Sequence, residues 1–262
     1  VAFHGRTSIW FTRSATPRAD AGLVSSSDDD TLRGGPAQRP ARTLFGRRKG
    51  HPLTETRAAL FETVLPRVAV PLDNDCLDPE GLFAFPVNDV RMEIGFGGGE
   101  HLVHEAETRA ASGFIGCEPF VNGMAKALAA VDEAGLANVR LHFGDAVEIL
   151  DRLPDASLAR VDLLYPDPWP KKRHWKRRFV ADDRIDRIAR VLRPGGQFRM
   201  ASDIPSYVDW TLKHLIDRSD FRWTARAAAD WRTPYPGWPG TRYEAKALEA
   251  GRVPAYLTFE RV

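Results

Sequence analysis

The chain has 262 residues, 43% hydrophobic and 27% charged, with 21 glycines and 19 prolines, a composition that excludes collagen-like, coiled-coil and largely disordered proteins. No stretch approaches the roughly 18–20 uninterrupted apolar residues of a membrane-spanning helix. Cys76 and Cys117 stand 41 positions apart in unrelated contexts, so no disulfide scaffold or cysteine-based zinc site is suggested, and a reducing, cytoplasmic setting is expected. The formal net charge of +2 conceals an uneven distribution. Residues 1–49 carry nine Arg or Lys against four Asp, Lys171–Arg178 adds six cations with no acid, and the remainder is net −9. Two compact positive zones on an acidic body point to a polyanionic partner, a solvated surface being the plain alternative for any charge run.

Residues 1–43 mix Ser, Arg, Gly, Pro and an Asp triplet without helical or strand period and are expected to form a disordered extension. Its first 19 residues are free of acids and superficially match an organellar transit peptide, while the initial Val favours a misplaced start. Residues 44–262 are expected to form one domain of about 220 residues, enough for a sizeable core. It opens over 44–66 with a basic arm, Gly46-Arg47-Arg48-Lys49-Gly50, and a helix over Leu53–Leu65 stopped at Pro66. Apolar β-runs follow at Val90–Ile94, Phe114–Glu118, Val139–Phe143, Val161–Tyr165, Gln197–Ala201 and Ala255–Glu260. Helical patterns lie between them at about 100–110, 120–134, 146–152, 181–192 and 205–217. This alternation predicts an α/β fold with a doubly wound parallel sheet and helices on both faces. In such sheets ligands sit beyond the carboxyl ends of the strands.

The first strand runs into Glu93-Ile94-Gly95-Phe96-Gly97-Gly98-Gly99-Glu100. Glycines here let backbone approach a nucleotide closely. A dinucleotide fingerprint, however, wants glycine where Glu100 stands, and a pyrophosphate would be repelled by that carboxylate. The acid-x-Gly-x-Gly-x-Gly pattern of Glu93, Gly95, Gly97 and Gly99 suits a ligand without phosphate and with a positive centre, as in S-adenosylmethionine. Glu118, 23 residues after Gly95 at the end of the second strand, is placed to accept from ribose hydroxyls. Asp145, after the third, is placed to accept from an adenine amino group. Taken singly, each fits a helix N-cap better than a ligand contact, Asp145 especially since it opens a helical segment, whereas their joint placement at successive strand ends favours a ligand.

The loop after the fourth strand reads Tyr165-Pro166-Asp167-Pro168-Trp169-Pro170-Lys171-Lys172-Arg173-His174-Trp175-Lys176-Arg177-Arg178. Three prolines stiffen it and hold Asp167 in a fixed direction. Six cations follow, interleaved with aromatics that allow phosphate contact and base stacking together.

With Glu93–Gly99 and the later Thr241-Arg242-Tyr243-Glu244, this loop resembles the motifs of the bacterial tRNA (guanine-N7-)-methyltransferases, and Gly46-Arg47-Arg48 resembles their N-terminal arm. The similarity runs from about Leu44 to the C-terminus. It implies a Rossmann-like sheet of the class I methyltransferase type, mostly parallel, and methyl transfer from S-adenosyl-L-methionine to N7 of a guanine in the tRNA variable loop. It also implies that Glu93, Gly95, Gly97, Gly99, Glu118, Asp145 and Asp167 hold the cofactor, with Asp167 also catalytic at the junction of cofactor and base. Lys171, Asp203, Thr241, Arg242, Tyr243 and Glu244 would contact the substrate, and Arg173, His174, Trp175, Lys176, Arg177 and Arg178 would bind RNA. No metal, membrane or obligate protein partner is expected. The competing readings are a methyltransferase of the same fold acting on another RNA or a small molecule, and a noncatalytic RNA-binding relative. Glu93, Glu118 and Asp167 weigh against the noncatalytic reading. Glu100 and the lack of a hydride-transfer constellation weigh against a nicotinamide oxidoreductase.

Overall fold

The computed structural model describes Gly46 and residues 48–262; the disorder expected of residues 1–43 lies outside the described residues. Two short helices lead in, α1 (Glu55–Thr63) and α2 (Leu65–Val68). Thr54 caps α1 by accepting from the Arg57 N–H, a cap worth about 1 kcal/mol. The single helix expected over Leu53–Leu65 is thus divided, and Pro66 lies in the first turn of α2, where its missing N–H costs nothing. The alternating body follows: β1 (Asp89–Ile94), α3 (Glu100–Thr108), β2 (Ser112–Cys117), α4 (Val121–Glu133), β3 (Val139–His142), α5 (Ala146–Arg152), β4 (Leu158–Leu164), α6 (Asp182–Val191), β5 (Leu192–Ser202) and α7 (Pro205–Leu215). The chain closes with β6 (Phe221–Trp223), α8 (Ala228–Arg232), α9 (Arg242–Glu249) and β7 (Ala255–Arg261).

The seven strands lie in the order β3-β2-β1-β4-β5-β7-β6. The first five pair in parallel, whereas β7 runs antiparallel to both β5 and β6. The expectation of parallel pairing therefore fails at the last strand. β7 inserts between β5 and β6 after a return through α8 and α9, rather than through one crossover helix. β6 leaves no signal in the sequence, because three residues are too few to display a period.

Neighbouring residues of β2 point into different cores. Phe114 joins α3 and α4 through Leu102, Met124 and Leu128, while Ile115 joins α5, α6 and α7 through Ile149, Ile188 and Tyr207. Since successive strand side chains point to opposite faces, helices cover both. All six residues of β2 are accordingly buried. The strand order reverses between β1 and β4, and that switch point, at the carboxyl ends, is where a ligand crevice forms. Among the described residues, no helix is long and apolar enough to cross a membrane.

Candidate active site

A cavity of about 350 Å³ opens at the switch point, lined from the ends of β1 to β4 by Gly95, Gly97, Glu118, Asp145 and Asp167. Its size falls within the range of small-ligand pockets, about 300–1,000 Å³. Gly97 and Gly99 have φ of +61° and +83°, a left-handed backbone that residues with a Cβ resist. This turn aims the Gly97 N–H at Glu118 Oε2, 2.7 Å away, while Glu118 Oε1 accepts from the Phe120 N–H at 2.8 Å. Glu118 is 6% exposed. Burial pushes its carboxyl up to about 7, against the pull of those two N–H groups. Each oxygen keeps a lone-pair site for a further donor.

Asp145 caps α5, its Oδ1 accepting from the Val147 N–H at 3.1 Å, while Oδ2 is buried without a protein partner. An orphaned acceptor on a cavity wall is costly unless a ligand donor meets it. The capping and ligand readings of Asp145 thus hold together, one for each oxygen. Between them, Glu118 and Asp145 fit an adenosine-containing cofactor.

Asp167 stands exposed at the cavity mouth, and partial desolvation by the neighbouring walls raises its pKa. Tyr165 and Trp169 on either side have φ of +49° and +43°, each costing about 1–2 kcal/mol for a residue with a Cβ. This strain is held by the surroundings: the Tyr165 N–H donates to the Ala201 carbonyl at 2.8 Å, and Arg177 lies 5.0 Å over the Trp169 ring. The basic arm reaches the same point. The Val121 N–H donates to the Arg48 carbonyl, the Gly50 N–H to Asn122 Oδ1, and Asn122 Nδ2 to the His51 carbonyl. Gly46 is thereby laid so close that a Cβ on it would stand 3.2 Å from Asp167 Oδ2. Sequence reasoning missed Asn122 and Arg184, which also lines the cavity. Neither belongs to a motif.

Several expected contacts lie elsewhere. Glu93 is turned beneath the glycine loop, where it meets His101 Nδ1 at 2.7 Å, and does not line the cavity. Burial raises its pKa while His101 opposes the shift. Gly99 starts α3 without lining the cavity. Asp203 pairs with Arg252 at 2.5 Å beside a separate, smaller hollow. Thr241 caps α9, accepting from the Glu244 N–H. Glu244 is buried, accepting from Trp238 Nε1 at 2.6 Å and from the Tyr256 hydroxyl. Of that segment Tyr243 lines the cavity, and Arg242 donates to the Tyr243 hydroxyl.

The basic loop is equally divided. Lys171, Arg173 and Lys176 are exposed, and Arg177 reaches the cavity. His174 packs edge-on against Trp169, with a pKa lowered by partial desolvation and by the neighbouring cations. Arg178 is fully buried, which corrects the expectation that it faces RNA, and the half-buried Trp175 packs against it. Among the described residues no cluster of His, Cys, Asp or Glu could hold a metal ion.

A glycine loop after β1 and acids closing β2 and β3, on a doubly wound sheet with an antiparallel β7, define an S-adenosylmethionine-dependent methyltransferase of the Rossmann-like class. A family model described as "Putative methyltransferase" matches residues 88–256. The tRNA (guanine-N(7)-)-methyltransferase of Brucella abortus (strain 2308) is 58% identical over 224 residues, spanning 85% of this chain and 96% of that protein. The Mesorhizobium japonicum protein of the same name is 56% identical, over 86% of this chain and 99% of that one. The chain belongs to the tRNA (guanine-N(7)-)-methyltransferase family. A solved rRNA methylase from Streptococcus thermophilus aligns with a TM-score of 0.45 at 13% identity, over 66% of this chain and 87% of that one.

Proposed function

We propose that this enzyme methylates N7 of a guanine in the variable loop of tRNA, with Asp167 at the meeting point of the cofactor cavity and the base. The observation that carries the reading is the position of Asp167 at the cavity mouth, at the head of the loop whose exposed cations include Lys171, Arg173 and Lys176. S-adenosylmethionine, when bound, supplies an electrophilic methyl group on a sulfonium centre. Glu118 accepts from the ribose hydroxyls and Asp145 Oδ2 from the adenine amino group. Gly95 and Gly97 let backbone lie close to the ligand.

Guanine N7 offers a lone pair and no proton, so the protein needs no general base at that atom. Positioning and electrostatics remain. Asp167 accepts from the N–H edge of the base, fixing its approach, and its negative charge favours the positive charge that the purine gains. N7 lies in the deep groove of A-form RNA, so the target must be presented from a loop or extracted from its contacts at a cost of a few kcal/mol. Lys171, Arg173, Lys176 and Arg177 grip the surrounding phosphates, with Tyr243 at the cavity edge.

A tRNA carrying 7-deazaguanosine at its variable-loop guanine tests this reading. The expected result is normal binding with no methyl transfer, whereas undiminished transfer would overturn it, since that base has no N7.

A further inference from the structure

Arg178 is the sixth cation of the basic loop, yet its side chain is 0% exposed. Its Nε donates to the Pro168 carbonyl at 3.0 Å, Nη1 to the Ser206 carbonyl at 2.7 Å and Nη2 to Ser206 Oγ at 3.0 Å. The guanidinium also lies over three aromatic rings, 4.5 Å from Trp175, 4.7 Å from Tyr207 and 5.6 Å from Trp210. Pro168 is the residue after Asp167. Ser206 stands in the first turn of α7, which follows β5. One planar fork therefore ties the loop after β4 to the element after β5, through geometry that an ammonium on a flexible stem cannot reproduce. The loop needs such a fastener, because the left-handed Tyr165 and Trp169 bracket Asp167 and strained backbone persists only when its surroundings over-determine it.

We infer that Arg178 is a positioning residue for methyl transfer: by pinning Pro168 to α7 it holds Asp167 at the cavity mouth, and it does not touch RNA. This rests on the role given to Asp167 above. The sequence places Arg177 and Arg178 side by side as equivalent cations, but the fold assigns them opposite duties, with Arg177 facing the cavity and Arg178 facing inward.

The test compares R178K, R178M, S206A and R177M with the wild-type enzyme. It uses unmodified tRNA and labelled S-adenosylmethionine, and reads the single-turnover rate at saturating substrates, cofactor affinity, and the salt dependence of tRNA binding. R178K keeps the charge but loses the fork, and should slow transfer by about a hundredfold, the cost of displacing a reacting group by an ångström, while cofactor affinity holds. S206A removes one of the three bonds and should slow transfer less. R178M should keep the wild-type salt slope, whereas R177M should reduce it by about 0.7–0.9, as expected when one phosphate is no longer neutralised. A wild-type rate in R178K, or a reduced slope in R178M, would overturn the inference. If R178M does not fold, the rates of R178K and S206A decide, since both retain the cation. The wild type separates the two levels of the argument. Its failure to methylate guanine N7 refutes the proposed function, whereas an active wild type matched by R178K refutes the positioning role alone.

Discussion

With the cofactor role proposed for Glu118, binding should be sensitive to pH in the neutral range. The Glu118 carboxyl is buried and raised from 4.5 to about 7, so holding it ionised costs on the order of 3 kcal/mol relative to water. A pKa of about 7 implies that in the ligand-free enzyme about one molecule in ten is ionised at pH 6 and about nine in ten at pH 8. A ligand that needs the carboxylate binds only the ionised fraction, so its apparent Kd should be about tenfold weaker at pH 6 than at pH 8. The same shift has a stability consequence of fixed sign. With the folded pKa above the ordinary value, Glu118 favours the ligand-free fold below about pH 4.5, and that contribution is lost as pH rises through 7. Cofactor should therefore raise the melting temperature more at pH 8 than at pH 6. Calorimetric titration of the wild type and E118Q at both pH values isolates the effect, because the ligand's own ionisation and that of every other site group are common to the two proteins. The wild-type to E118Q ratio of Kd should change about tenfold across that interval, with E118Q weaker at pH 8 by about 10–100-fold for its missing charge-assisted hydrogen bonds. A ratio that stays constant from pH 6 to pH 8 would refute the assignment of Glu118 to the cofactor.

Asp167→Asn keeps the size of the side chain but removes its charge; single-turnover transfer should fall about 10²-fold with cofactor affinity unchanged, measured at saturating tRNA. Asn122→Ala removes both side-chain bonds to the arm, at about 1 kcal/mol each, and should raise KM for tRNA by up to about thirtyfold while kcat changes little and the melting temperature falls by a few degrees at most. Gly97→Ala places a Cβ on a residue at φ +61° whose N–H serves Glu118; cofactor binding should weaken by about 5–30-fold at about 1–2 kcal/mol of strain, with far-UV circular dichroism unchanged.

The parallel half of the sheet was legible because its strands are short apolar runs separated by helix-length amphipathic segments, a pattern that carries both element type and crossover direction. β7 carries the same apolar run, but strand direction is set by the route that enters it, and that route passes through α8, α9 and the three-residue β6. The acids of the site divide in a similar way. Glu118, Asp145 and Asp167 end strands on the cavity side, so their positions along the chain sufficed to place them. Glu93, Asp203 and Glu244 look identical in sequence, yet His101, Arg252 and the Trp238–Tyr256 pair claim their oxygens. Which neighbour a carboxylate meets depends on packing between distant segments. Arg178 shows the limit most sharply, since a count of charges cannot tell which guanidinium a turn directs inward.

The central claim is that N7 of one tRNA guanine receives the methyl group, and chain cleavage specific for 7-methylguanosine tests it directly. After reaction of unmodified tRNA with labelled S-adenosylmethionine, one label per tRNA and a single cut in the variable loop are expected, with Asp167→Asn giving neither at comparable times. Stable label without cleavage, or cleavage at a guanine outside that loop, would contradict it.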